Sequence, residues 1–245
     1  YTGPPEEERF DFRFGLFNSS VDSKVGRYTS GGVPGEEIDL EDVFGESDNE
    51  TVAQLDAFWR LSRYHRIEAG YFEIVRNGRV VLDDVLPFGD RVYAANEEIR
   101  SRSHFKSVRV GYTYALIRDQ QKELGLMAGV HFSSFDAIIS TPEDDLTEKA
   151  RLDTPLPVFG AHFSVNLRAN MTVAAKVQLF RTDYDDYEGS LNYFAVELRK
   201  RFGGQLNAGL GYNFYRLKLR SSNTDLNGYV DIQHQGPVLF LGYEF

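Results

Sequence analysis

Hydrophobic and polar residues alternate with a period of two from the start of the chain. Residues 9–17 place Phe10, Phe12, Phe14 and Leu16 on one side, and Arg9, Asp11, Arg13 and Gly15 on the other. Successive side chains of a strand point to opposite faces, so this segment predicts a β-strand with one apolar and one charged face. The same alternation recurs over 53–61, 67–72, 108–116, 124–132, 159–167, 171–179, 194–199, 206–214 and 237–245, which makes ten strands. The stripe Leu206, Ala208, Leu210, Tyr212, Phe214 against Asn207, Gly209, Gly211, Asn213 is typical. Five same-face positions span about nine residues, near what a tilted strand needs to cross a bilayer.

Two features favour a membrane barrel over a soluble two-sheet sandwich, which would also alternate. The polar faces are rich in Gly, Ser, Asn and Thr with isolated charges, as a lumen of limited width requires. The apolar faces carry almost no charge in mid-strand, and Phe17, Trp59, Tyr71, Phe132, Phe159, Phe214, Tyr243 and Phe245 lie toward predicted strand ends. Aromatic girdles at both interfaces are a barrel feature. The sandwich remains the alternative.

The connections sort into two kinds. Those at 62–66, 118–122, 168–170 and 203–204 are tight; those at 18–50, 77–104, 136–155, 183–189 and 219–228 are longer, polar and rich in Gly, Pro and Asp. Short turns at one end and long loops at the other match an outer-membrane barrel. The reading is one domain over 1–245, with 1–8 as a periplasmic N-terminal segment and long external loops at about 18–50, 77–104 and 136–155. Extra strand pairs are expected around 38–44 and 80–88.

Composition narrows the classes. The 27 Lys+Arg against 37 Asp+Glu give a net charge of -10, which argues against a nucleic-acid partner. The absence of cysteine excludes disulfides, thiolate metal sites and a cysteine nucleophile. No stretch approaches the roughly 18 apolar residues of a membrane-spanning helix. No metal or cofactor is expected.

The last residues, Leu239-Phe240-Leu241-Gly242-Tyr243-Glu244-Phe245, alternate and end in Phe. With this terminus and the ten-strand pattern, the chain resembles the bacterial outer-membrane β-barrel superfamily over essentially its whole length. The resemblance implies an all-β fold, a transmembrane antiparallel up-and-down barrel of 10 strands, set in outer-membrane lipid including lipopolysaccharide, with both termini periplasmic. It also implies that Leu239, Leu241, Tyr243 and Phe245 form an assembly signal read by the barrel assembly machinery. A chain starting at Tyr1 without a signal peptide reads as a processed form. Hydrogen bonding supplies the physical reason for closure: lipid offers no partners for backbone groups, so only a closed sheet satisfies them all.

Strand parity places Arg9, Arg13, Arg60, Arg109, Arg168, Lys176 and Arg199 inward, with Asp11, Asp56, Glu68, Glu123, Glu197 and Glu244. Near-balance predicts ion pairs that cross-link facing strands, because unpaired buried charge costs on the order of several kcal/mol per ion. Phe58, Phe72, Met127, Phe180, Tyr193, Tyr215 and Phe240 also point inward. Ten strands lie near the size at which side chains fill the interior, so a plugged lumen is expected. The loops are acidic; the carboxylates Asp183, Asp185, Asp186 and Glu188 could hold a divalent cation, although a solvated surface is the plainer reading.

Enzymes exist among small barrels of this superfamily: omptin proteases, lipid A deacylases and palmitoyltransferases. The strand count resembles the omptins, whose chemistry needs an Asp–His pair and a carboxylate pair at the external rim. That pattern is not visible, because His65 falls in a tight turn and His104 has no Asp-x-His neighbour. His131 and Ser133 share the inward face, which is the start of a nucleophilic site; the plainer reading makes His131, His162 and His234 polar lumen fillers. The leading expectation is a non-enzymatic structural or binding barrel with acidic external loops, working as a subunit of an envelope complex with a protein partner. The alternatives are a narrow channel for ions or small polar solutes and, third, a lipid- or peptide-directed hydrolase.

Overall fold

The computed structural model describes residues 10–27, 38–88, 91–141, 147–167, 170–184, 187–203, 205–223 and 226–245. In chain order the elements are β1 (Phe10–Arg27), β2 (Ile38–Asp39), α1 (Leu40–Phe44), β3 (Asn49–Arg60), β4 (His65–Val81), β5 (Leu86–Phe88), β6 (Arg91–Tyr93), β7 (Glu98–Arg118), β8 (Lys122–Ser140), β9 (Thr147–Leu167), β10 (Met171–Tyr184), β11 (Tyr187–Arg201), β12 (Leu206–Asn223) and β13 (Leu226–Glu244).

Ten strands, β1, β3, β4 and β7 to β13, pair antiparallel in sequence order, and β1 closes on β13 from Asp11↔Glu244 to Arg27↔Gly228. The seam is sealed at the short-turn end by two backbone bonds, Phe10 N–H to Phe245 O (2.8 Å) and Phe245 N–H to Phe10 O (2.9 Å). All ten strands read from the alternation are present. The fold is therefore a closed transmembrane antiparallel barrel of ten strands. Midway along the seam the ladder skips from Phe17↔Val238 to Ser20↔Gln235. There the backbones crowd so closely that a Cβ at Gly236 would sit 1.9 Å from the Asn18 carbonyl oxygen.

The outward face changes character along each strand. At the short-turn end it is apolar: Phe12, Phe14 and Leu16 on β1, Val110, Tyr112 and Tyr114 on β7, Leu206, Leu210 and Tyr212 on β12, and Leu239 and Leu241 on β13 are all exposed. Nine residues rise roughly 30 Å along a strand, and a tilt of roughly 40° projects this to about 23 Å, close to the apolar band of outer-membrane barrels. Beyond it the same outward positions turn polar: Asn18, Ser20 and Asp22 on β1, Arg100, Arg102 and His104 on β7, Arg216, Lys218 and Arg220 on β12. The inward face changes in the opposite sense. It is charged at the short-turn end and becomes a continuous apolar core above, built from Val21, Ile74, Ile99, Phe105, Phe135, Ile139, Leu191, Leu217 and Ile232 among others.

These upper halves correct the expected loop boundaries. Much of 18–50, 77–104 and 136–155 is strand: β1 runs to Arg27, β4 to Val81, β7 begins at Glu98, β8 runs to Ser140 and β9 begins at Thr147. The 21 residues of β7 extend roughly 70 Å, well beyond the apolar band. The alternation persists there with reversed polarity, which a search for outward apolar stripes passes over. The segment 38–44 is not a strand pair. Two residues pair with β1, and Leu40–Phe44 forms a short helix because Asp39 caps it, its Oδ1 accepting from the N–H of Glu41 (3.1 Å) and Asp42 (3.0 Å). Gly45, at φ 63°, ends the helix in the left-handed region and donates to Glu41 O at 3.0 Å. The second extra hairpin pairs Leu86–Phe88 with Arg91–Tyr93, later than expected. Phe17 does not belong to a girdle: it is buried inside, edge-on to Phe72 at 6.0 Å.

Candidate functional site

The interior of the short-turn half is the chemically richest part of the molecule. It arises because β1, β3, β4, β7, β8, β10, β11 and β13 each place one or more charged residues on the inward face, whose positions recur at every second residue of a strand. Asp11, Arg13, Glu197, Arg199 and Glu244 form one network. Arg13 donates from Nη1 to both Glu197 oxygens at 2.9 Å and from Nε to Asp11 Oδ2 at 2.8 Å. Arg199 Nη1 reaches Asp11 Oδ2 (3.1 Å) and Glu244 Oε1 (2.7 Å). The Arg13 guanidinium also lies over the rings of Phe58 (4.6 Å) and Phe240 (5.1 Å). A second network centres on Glu123 and Glu68. Arg60 Nη2 donates to Glu123 at 2.7 Å and Lys176 bonds Glu68. Above both, Arg109 pairs with Asp56 at 2.9 Å.

Eleven of the thirteen predicted lumen charges therefore meet in these networks; Arg9 and Arg168 lie outside the described residues, as do Asp185 and Asp186 of the acidic cluster. Sequence reasoning missed Arg66, Arg118 and Arg201. Arg66 Nη1 bonds Glu123 Oε1 at 3.3 Å, Arg118 Nε lies 3.3 Å from Glu123 Oε2, and Arg201 Nε lies 2.9 Å from Glu244 Oε2. Arg66 had a signal: it stands two residues from Glu68, on the same parity, but was assigned to a tight turn. The charged groups border a cavity of about 340 Å³ that extends to Asp119, Gln120 and Asn170 at the short-turn rim.

A polar and aromatic layer separates this cavity from the apolar core. His131 Nε2 meets Gln178 Oε1 at 3.1 Å, and the Ser133 hydroxyl meets the Tyr215 hydroxyl at 2.8 Å. The His131 and Ser133 side chains thus engage different partners, and the nucleophile–base pair considered from sequence does not form. Phe72, Phe105, Tyr215 and His234 pack against one another at tilted and edge-on angles, with Phe105 and His234 ring centroids 4.7 Å apart. His65 contacts Tyr112 at the short-turn end, and His104 lies on the outer face, 3.4 Å from Glu73.

The long-loop half holds a second buried charge cluster that the sequence did not reveal. Arg76, 3% exposed, reaches from β4 to Glu41 of α1, to Glu46 Oε2 (3.2 Å), to Ser23 Oγ (2.8 Å) and to the Ser47 carbonyl (3.3 Å). Glu46 also accepts from Ser103. Burial pushes both carboxyls above the ordinary range; at Glu46 the hydrogen bond from Ser103 and the charge of Arg76 only partly offset it. Leu40 and Phe44 of α1 are buried in the core below. The helix end lies so close to β4 that a Cβ at Gly78 would fall 2.1 Å from the Phe44 carbonyl oxygen. Asp22, Asp39 and Glu41 bring oxygens within 4.8 Å of one another. Two of the three already serve the fold, Asp39 as helix cap and Glu41 as partner of Arg76.

A closed ten-stranded barrel with an outward apolar belt and a charged interior defines the class: the chain has the fold of the outer-membrane β-barrels. Among solved structures it is similar to the outer membrane protease OmpT from Escherichia coli, at 14% identity over 98% of each chain, with a TM-score of 0.64. Looser likenesses are to the translocator domain of the autotransporter NalP from Neisseria meningitidis (8% identity, 95% of this chain and 88% of that one, TM-score 0.45) and to Ail of Yersinia pestis (12% identity, 97% and 99%, TM-score 0.41). At these identities the likeness concerns fold alone. No family model matches the chain, and no curated protein matches it by sequence.

Proposed function

We propose that this protein is a bacterial outer-membrane barrel with a closed lumen, which acts without catalysis through the surface presented at its long-loop end. The observation that carries the reading is the apolar core inside the long-loop half, with α1 fastened over it by Arg76. A solute crossing the barrel would have to displace fully buried side chains such as Phe44, Ile99, Leu191 and Leu217. In this reading the short turns and both termini face the periplasm, and the apolar belt contacts outer-membrane lipid including lipopolysaccharide. The barrel assembly machinery reads Leu239, Leu241, Tyr243 and Phe245, all four exposed on the outer face at the seam. A protein partner in an envelope complex would engage the polar long-loop end.

Planar-bilayer recording tests the closed lumen. The folded protein, verified by heat-dependent gel mobility, is expected to give no steady single-channel current. A stable conductance from the unmodified protein would replace this reading with the narrow channel. Arg76→Ala, which unfastens α1, is expected to raise the frequency of brief openings.

A further inference from the structure

We propose that the cavity at the short-turn end is a binding site for a phosphate-type oxyanion, held by Arg60 and Arg66. The two charge networks bordering the cavity differ in balance. Around Asp11, three cations (Arg13, Arg199, Arg201) face three carboxylates (Asp11, Glu197, Glu244). Around Glu123, three cations (Arg60, Arg66, Lys176) face two carboxylates (Glu68, Glu123), and Arg118 adds its own contact to Glu123. Among the described residues the second network therefore carries positive charge in excess of its carboxylates, in a region where uncompensated charge is costly.

The excess is matched by unused donors. Arg60 spends Nη2 on Glu123, but its Nη1 makes no hydrogen bond among the described residues. Arg66 spends Nη1 on Glu123, while Nε and Nη2 make none among the described residues; Nη2 is 3.8 Å from Glu68, too far for one. Arg66 is 9% exposed, so these N–H groups cannot all be met by bulk water. His162 Nδ1, 3.8 Å from Glu123, is also without a hydrogen bond. Arg60, Arg66 and His162 all line the same cavity, whose other boundary is the short-turn rim, so an anion can enter from that end. Planar guanidinium edges suit the paired oxygens of a phosphoryl group better than a spherical ion. Glu123 already occupies part of this donor set as a built-in anion, which predicts that it competes with the ligand.

The site is independent of whether the lumen conducts, and calorimetry on the refolded full chain in a zwitterionic, phosphate-free detergent tests it. Inorganic phosphate at low salt is expected to bind saturably at one site. Arg66→Gln is expected to weaken binding at least tenfold, and Glu123→Gln to tighten it several-fold. Glycerol phosphate distinguishes the sources. Binding equal to that of inorganic phosphate assigns the site to phosphate esters such as lipid headgroups, and binding of inorganic phosphate alone assigns it to the free ion. Either result sustains an oxyanion site. Absence of saturable binding by the folded wild type overturns the proposal, as does an Arg66→Gln variant that binds as well as wild type. Should Arg66→Gln not reach the heat-modifiable state, Glu123→Gln decides: unchanged or weaker phosphate binding there would count against the site.

Discussion

The two halves of this barrel share one backbone ladder and are built in opposite ways. In the short-turn half, Phe14, Val110 and Leu210 face outward while Arg13, Arg109 and Glu197 are inside. In the long-loop half, Arg102, Lys218 and Asp22 face outward while Ile99, Leu217 and Val21 are inside. The change occurs within single strands: β7 carries Val110 and Arg102 on the same outer face. The period of two reports the sheet, which is continuous; the phase of the apolar residues reports what surrounds it. Where hydrocarbon lies outside, apolar side chains gain nothing by pointing inward, and strands are tied by buried ion pairs. Where water lies outside, the interior is an ordinary hydrophobic core, and polar groups solvate the wall.

The contrast predicts where stability resides, and the largest effect is expected at Arg76. Replacing it with Ala leaves Glu41 and Glu46 buried beside each other without their cation, a change expected to cost about 3–5 kcal/mol. Phe44→Ala, which empties a fully buried position under the same helix, is expected to cost a similar ~3–5 kcal/mol. Urea unfolding in lipid vesicles measures both, and limited proteolysis between 38 and 48 shows whether α1 is released. Arg102→Ala, on the exposed outer face of the same half, should stay within ~0.5 kcal/mol. If Arg76→Ala were as mild as Arg102→Ala, the long-loop half would not be held by its interior.

A pair of identical substitutions probes the outer face. Val110 and Val81 both point outward and are similarly exposed, at 45% and 55%. Val110 lies in the apolar belt and Val81 near the top of β4. Val110→Arg is expected to cost about 2–4 kcal/mol, as for a cation placed in the bilayer interior. Val81→Arg, bathed in water and paired across the ladder with Glu98, is expected to change stability by less than ~0.5 kcal/mol. Equal costs at the two levels would mean that the belt does not end where the outer face turns polar.

The same contrast explains what could be read from the chain alone. The short-turn half was legible because its two faces differ strongly: Phe10-Asp11-Phe12-Arg13-Phe14 has only one pattern of sides, and parity then places Arg13, Glu68, Glu123 and Glu197 inside. Its ends were less legible. Arg66 and Arg118 adjoin turns, where one residue of uncertainty at a boundary removes them from the inward set. The long-loop half was read as loop because its apolar residues are sparse and separated by Ser, Arg and Asp, as in Ser101-Arg102-Ser103-His104-Phe105. A strand standing in water needs only a few inward hydrophobes, so its alternation is faint. The cluster of Arg76 with Glu41 and Glu46 lay beyond any local pattern, since it joins residues some 30 positions apart through a helix that only Asp39 and Gly45 announce.

The smallest predicted effect concerns acid, and its sign separates this cluster from ordinary surface pairs. Burial raises the Glu41 and Glu46 carboxyls above 4.5, despite Arg76, Ser23 and Ser103. In the folded protein these groups therefore take up protons at higher pH than in the unfolded chain. Their contribution to stability is lowest near neutral pH, grows as pH falls through the raised folded values, and is complete once pH reaches about 4.5. Asp231 on the outer face behaves oppositely. Although partial burial pushes it up, the bonds from Arg216 and Lys218 hold it below 3.8, so its contribution is present above that value and is lost on further acidification. Hydrogen exchange of residues 38–47, corrected for intrinsic rates, should therefore slow as pH is lowered from 7 to about 4.5. Glu46→Gln should be close to neutral in stability and should reduce that pH response, because its amide can still accept from Ser103 without carrying a buried charge. A response unchanged in Glu46→Gln, or protection that falls with acid over this interval, would place the proton uptake elsewhere and leave Arg76 holding two fully ionised carboxylates.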